Sequence, residues 1–174
     1  MSAAPLSGTD FSPLLRTDFT DDAAWRALLE EIEQSWLTVM ADRAHEGLSV
    51  PELLALVPDG SRYPTLVVAD RETFAAEERT LLLIDVQEEP GRTLRVAVPD
   101  AFASVLGNLA IQNQSFDDYL ESGSLGEDGV YRLSDRHRQA LAELRGAQGT
   151  QDAQGVPSFA RVRGRVPGPG NQRG

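Results

Sequence analysis

The sequence predicts an α/β domain: a layered, mostly parallel sheet of about five strands, a C-terminal antiparallel hairpin strand, and flanking helices. Three observations predict it. Short apolar runs rich in β-branched residues alternate with helical periodicities in the order β-α-β-α-β-α-β. Right-handed crossovers between successive strands would set the first four strands mostly parallel. The stretch "QEEPGR" (87–92), between "TLLLIDV" and "TLRVAV", has Pro then Gly at the central positions of a type II turn, so the next strand returns antiparallel.

Each element follows from local sequence. "PLLRTDF" is a short extended run, the first strand. "TDDAAWRALLEEIEQ" repeats apolar residues at Ala24, Leu28 and Ile32, with Trp25 and Leu29 beside them, and so predicts an amphipathic helix. Asp21 and Asp22 stand where a cap and the positive end of a helix dipole favour acids. "WLTVMAD" reads as a buried strand, with Trp25 and Trp36 assigned to the core. "SVPELLALVP" is a short helix with Ser49 as cap and Pro51 in its first turn. "YPTLVVAD" is the third strand and "RETFAAEE" a brief helix or turn before the fourth. "PDAFASVLGNLAIQNQ" forms a helix with Phe102, Val105, Leu106 and Leu109 on one face and Asp100 as its expected cap. In "SFDDYLES", Ser115 and Asp118 have capping-box spacing. "GVYRL" is a candidate short strand and "SDRHRQALAELRGA" a late helix with a thin apolar face. The boundaries expected are a flexible arm over 1–12, one α/β domain over 13–145, and a disordered Gly/Pro/Arg-rich tail over 146–174.

Composition narrows the chemistry. The 174 residues suffice for one domain with a real core. Cysteine is absent, which removes disulfides, zinc–thiolate sites and Cys nucleophiles. Every basic side chain is arginine, which removes a Schiff-base lysine and a Walker A lysine. No apolar run is long enough for a membrane span, and the first residues lack the basic and apolar regions of a signal peptide, so the expected location is the cytoplasm. Residues 1–144 carry 11 arginines against 26 acidic side chains, whereas residues 145–174 carry five arginines against one aspartate. Such an acidic body repels nucleic acid and suits a basic protein partner.

One pattern points to a site. The first four strands each end in aspartate: Asp18, Asp42, Asp70 and Asp85. Two share the strings "VMADR" (39–43) and "VVADR" (67–71). In parallel α/β sheets the carboxyl ends of the strands face the ligand crevice. Four carboxylates converging there would offer oxygen ligands for Mg²⁺. The competing reading is capping, because Asp is a favoured residue between a strand and a helix. Arg71 and the amides Asn108 and Asn113, in the dense run "NLAIQNQ", complete the candidate ligand-binding set. No catalytic constellation is legible. His45 and His137 lie outside any metal-binding spacing, and no GxSxG elbow, GxGxxG loop or Walker A motif occurs.

The strings "RTDFTDDAAW", "LVVADRETF", "LLLIDVQEEPGRTLRV" and "NLAIQNQSFDDYL" resemble a family of small acidic actinobacterial domains of unknown function, over about residues 14–132. The last two are the most specific. The resemblance implies an α/β domain in a bacterial cytoplasm and brings no activity and no catalytic residues. The expected function is therefore a non-enzymatic acidic protein-interaction module of regulatory or immunity type, needing no cofactor. The alternative is a metal-dependent enzyme or small-molecule binder using the strand-end aspartates.

Overall fold

The structure, a computed structural model, describes residues 4–6, 9–32 and 34–153. The chain divides into two compact units, 1–138 and 139–174. In the first, the elements run β1 (Ser12–Arg16), α1 (Asp22–Glu31), β2 (Leu37–Met40), α2 (Val50–Leu54), β3 (Thr65–Ala69), β4 (Thr80–Asp85), β5 (Thr93–Ala97), α3 (Phe102–Ala110), α4 (Phe116–Leu120) and β6 (Val130–Tyr131). A last helix, α5 (Asp135–Ala153), begins in the first unit. From Gln139 on, it supplies the described part of the second. It continues past Gly146, where the tail was expected to begin, and residues 154–174 lie outside the described residues. Within the expected N-terminal arm, Leu6 is buried and its N–H donates to the Leu56 carbonyl at 2.8 Å.

The six strands form one sheet in the order β2-β1-β3-β4-β5-β6. β2, β1 and β3 are parallel, as the two helical crossovers require. The expectation of a fourth parallel strand is corrected: β4 runs antiparallel to β3. A parallel crossover needs a connection of about a dozen residues or more. Between Ala69 and Thr80 the chain offers fewer, and makes only a 3₁₀ turn at Arg71–Phe74. β5 returns antiparallel to β4 through the predicted turn. There the Arg92 N–H donates to the Glu89 carbonyl at 3.0 Å, and Gly91 takes φ +99°. The hairpin strand is internal, because β6 adds a parallel edge beside it.

Both faces of the sheet are covered, so most strand residues are buried. Leu15, Val68 and Leu82 lie in one cross-strand row. Together with Leu66 and Ile84 they pack with Leu53 of α2, Leu6 and Tyr63. The adjacent row, Leu14, Val67, Leu83 and Leu94, points to the other face, and none of the four is more than 1% exposed. α3 lies against β3 and β5 and buries Phe102, Val105, Leu106 and Leu109. Its first turn lacks the cap expected from Asp100. Ala101 holds that position, and Asp100 instead pairs with Arg138 at 3.1 Å. Trp25 is buried in α1 as expected. Trp36 is not, being 55% exposed just before the edge strand β2, beyond which no strand lies among the described residues.

Two of the strand-end aspartates allow a graded test. Among the described residues, Asp42 accepts just the Ala44 N–H, at 2.9 Å, at an exposed turn. Asp70 accepts the Thr73 N–H at 3.1 Å and also takes the Arg95 guanidinium at 2.5 Å across β4. We predict that Asp42→Ala costs about 1 kcal/mol, the value of a cap. Asp70→Ala is expected to cost about 2–3 kcal/mol, since Arg95 also loses a partly buried partner. Urea unfolding of both variants measures the difference, and equal costs would show that the Arg95 pair contributes nothing.

Candidate functional site

The sheet topology separates the four aspartates. Asp18, Asp42 and Asp70 follow the parallel strands β1, β2 and β3 and share one end of the sheet. Asp85 ends the antiparallel β4 and sits opposite Thr65, at the start of β3, and so lies at the other end. The reversal of β4 thus keeps the four carboxylates from converging at one end of the sheet. Each of the three at the first end already closes its own turn. Asp18 accepts the Thr20 N–H at 2.9 Å, and Asp42 and Asp70 act as described above. Arg71 is exposed beside Asp70. Two guanidiniums lie against the Phe19 ring, Arg16 at 4.4 Å and Arg43 at 4.9 Å from its centroid. Among the described residues, no group of three or more His, Asp or Glu side chains is placed to hold a metal ion.

The other end gathers more chemistry. Asp85 is buried, with its side chain 3% exposed. It accepts the N–H groups of Gln87 at 2.9 Å, Glu88 at 3.1 Å and Glu89 at 3.0 Å, and the Arg92 guanidinium at 3.0 Å. Burial alone would raise its carboxyl. The donors from Glu89, Gln87, Arg92 and Glu88 together outweigh that, and the group is held below the ordinary aspartate value. Arg92, 13% exposed, reaches from the same turn to Asp117 of α4 at 2.5 Å, and its guanidinium carbon lies 5.6 Å from the Phe116 ring centroid. One cation therefore locks the β4–β5 turn to α4. The start of α4 is fixed by the predicted capping box: Asp118 accepts the Ser115 N–H at 2.7 Å, which helps to hold its carboxyl below the usual range.

Between these parts lies a cleft of about 220 Å³ lined by Pro64, Asp85, Gln87, Glu88, Leu109, Gln112, Asn113, Gln114, Ser115, Phe116 and Asp118. Two predicted candidates, Asp85 and Asn113, meet there. Asn108 stands behind them. It accepts from Asn113 at 3.1 Å and donates to Gln114 at 2.9 Å and to the Tyr119 hydroxyl at 3.1 Å. The amide run thus forms a network that shapes the wall. α3 ends in a Schellman motif: the Asn113 N–H bonds the Asn108 carbonyl at 2.9 Å and the Gln112 N–H bonds the Leu109 carbonyl at 3.2 Å. The position that glycine usually fills is Gln112, with φ +56°. Among the described residues it alone takes a positive φ without being glycine.

Arg92 was missed by the sequence reading, although a signal existed. The hairpin-turn string and the string around "NQSFDDYL" form the two walls of this cleft, and Arg92 is the cation between their acids. The sequence profile of a family described as a domain of unknown function, DUF6924, matches residues 11–134. The chain belongs to this family. The DUF6924 region starts just before β1 and ends just before α5, and so contains the whole sheet and both walls of the cleft. Among curated proteins and among solved structures, nothing matches the chain.

Two outcomes are expected. Because the Asp85 carboxyl is held low in the folded state, its contribution to stability is full above the unfolded value near 3.9 and is lost as pH falls through the lower folded value. Asp85→Asn should cost roughly 1–3 kcal/mol at pH 7 and flatten the loss of stability below about pH 4, as read by urea unfolding across pH. Parallel acid limbs for the two proteins would contradict this. Gln112→Gly should stabilise the fold by about 1 kcal/mol by relieving the left-handed backbone. Thermal melting checks the sign.

Proposed function

We propose that this DUF6924 domain is a non-enzymatic interaction module whose hairpin–α4 cleft receives a basic side chain of a protein partner. The observation that carries this reading is the composition of the cleft. Its lining has three acidic residues and four side-chain amides but no arginine or histidine. The adjoining cation, Arg92, is already engaged by Asp85 and Asp117 and lies within 3.6 Å of Glu88 and Glu89. The rim bears exposed Glu88, Glu89 and Asp117, so the local field favours a guanidinium or ammonium group. About 220 Å³ is room for a single side chain and not for a large cofactor. The strained Gln112 in the lining also supports a binding role, because left-handed non-glycine residues cluster at ligand sites. A regulatory or immunity-type role, with no cofactor, accords with this chemistry. The same reading places the protein in an actinobacterial cytoplasm. The lysine-free composition supports that source, and among the described residues no helix is long and apolar enough to cross a membrane.

The test is titration of a labelled arginine-containing peptide by fluorescence anisotropy. Binding is expected at low salt and should weaken as salt screens the rim. Glu88→Gln with Glu89→Gln should weaken it about tenfold, the equivalent of about 1.4 kcal/mol. Asp59→Asn with Glu77→Gln removes the same charge elsewhere on the surface and should leave affinity nearly unchanged. Equal losses from both pairs would mean that the peptide senses only net charge, and the cleft would lose its assigned role.

A further inference from the structure

The two edges of the sheet are not alike. β6 is only two residues long, and Tyr131 also bridges antiparallel to Leu125. Short, covered edges are one way proteins prevent strands from pairing with other chains; charge, proline and bulges are others. β2, at four residues, is also short, but its sequence carries neither charge nor proline. Among the described residues it has one ladder neighbour, β1. From Trp36 to Ala41 the sequence "WLTVMA" contains no charged residue, no proline and no glycine, in a chain with net charge −11. Apolar surface gathers at the same edge. Of the five large apolar residues that stand exposed among the described residues, three lie here: Phe11 at 48%, Trp36 at 55% and Val39 at 36%. Phe11 and Trp36 already pack edge to face, with centroids 6.3 Å apart.

We propose that β2 is the seam of a homodimer, in which two copies pair their β2 edges antiparallel about a two-fold axis normal to the sheet. Side chains directly opposite in an antiparallel pair share a face, so such an axis passes through a residue facing its own copy. The two candidates are Thr38 and Val39. With the axis at Thr38, Trp36 lies opposite Met40 and Asp42 opposite Gln34. With the axis at Val39, Asp42 lies opposite Trp36 and Arg43 opposite Ser35. Neither register sets acid against acid. The edge is thus complementary to itself although the rest of the body would repel a second copy. A strand of four residues is a small ladder, so the Phe11–Trp36 pairs must supply much of the buried area.

Salt distinguishes this contact from capture of a basic peptide. Screening the mutual repulsion of two acidic bodies should strengthen dimerisation, whereas it weakens the peptide complex. Sedimentation velocity of the full chain over micromolar to near-millimolar concentration should show a monomer–dimer equilibrium whose dimer fraction rises with salt. Val39→Glu, at an exposed position, should leave the circular dichroism unchanged and shift the midpoint at least tenfold to higher concentration. Because the chain has no cysteine, Val39→Cys and Thr38→Cys give a clean readout. Across the axis of an antiparallel pair, Cβ atoms lie about 4.5–5.5 Å apart, near disulfide reach. The variant at the axis should therefore crosslink under mild oxidation, and the other should lag. A wild-type chain that stays monomeric throughout overturns the proposal. So does a dimer in which neither cysteine variant crosslinks, or one that Val39→Glu leaves intact.

Discussion

The short connection between β3 and β4 governs where this molecule keeps its chemistry. Chain of that length cannot carry a helix across the sheet, so β4 turns back beside β3. That single reversal sends Asp85 to the end of the sheet opposite Asp18, Asp42 and Asp70. It also brings the β4–β5 turn to the end where α3 finishes and α4 begins. A parallel β4 would have stacked four carboxylates at one edge. The antiparallel one leaves three capping aspartates at that edge and builds a buried ion pair at the other.

The Asp85–Arg92 pair is then both support and constraint. A buried carboxylate is costly unless it is paired and hydrogen-bonded. Three backbone N–H groups and one guanidinium satisfy this one, all from the turn it closes. The same guanidinium spans to Asp117, so the hairpin and α4 are set in place together. Arg92 also lies within 3.6 Å of Glu88 and Glu89, so one cation faces four acids and, with Asp118, the cleft keeps a net negative charge. The result is a negatively charged recess whose walls both lie within the family's matched region.

Electrostatics gives the surface two regions of different character. Around the hairpin and α4 the acids are concentrated and face solvent. Along β2 charge disappears and aromatic and aliphatic side chains replace it. The first is the region proposed to take a basic side chain, and the second is the edge proposed to pair with its own copy. The two regions lie on different strands, β4–β5 and β2, with β1 and β3 between them.

Much of the fold was legible in local sequence because it is decided locally. The cap at Asp21, the capping box of Ser115 and Asp118, the Pro-Gly turn and the apolar face of α3 all rest on contacts within a few residues. So does each strand-end aspartate, whose carboxylate binds N–H groups two to four positions ahead. What periodicity does not carry is the direction of a strand or its place in the sheet. An apolar run such as "TLLLIDV" reads the same whether it lies parallel or antiparallel to its neighbour. Trp36 reads as core until the sheet order shows that, among the described residues, β2 is an edge strand. Arg92 reads as an ordinary turn arginine until α4 brings Asp117 to it from 25 residues away. By itself, the sequence determined most of the elements, the caps at Asp21 and Ser115, and the acidity of the body. Tertiary structure decided which acids meet, which cation they share and which edge stays open, because those depend on strand order and direction, set by packing between distant segments.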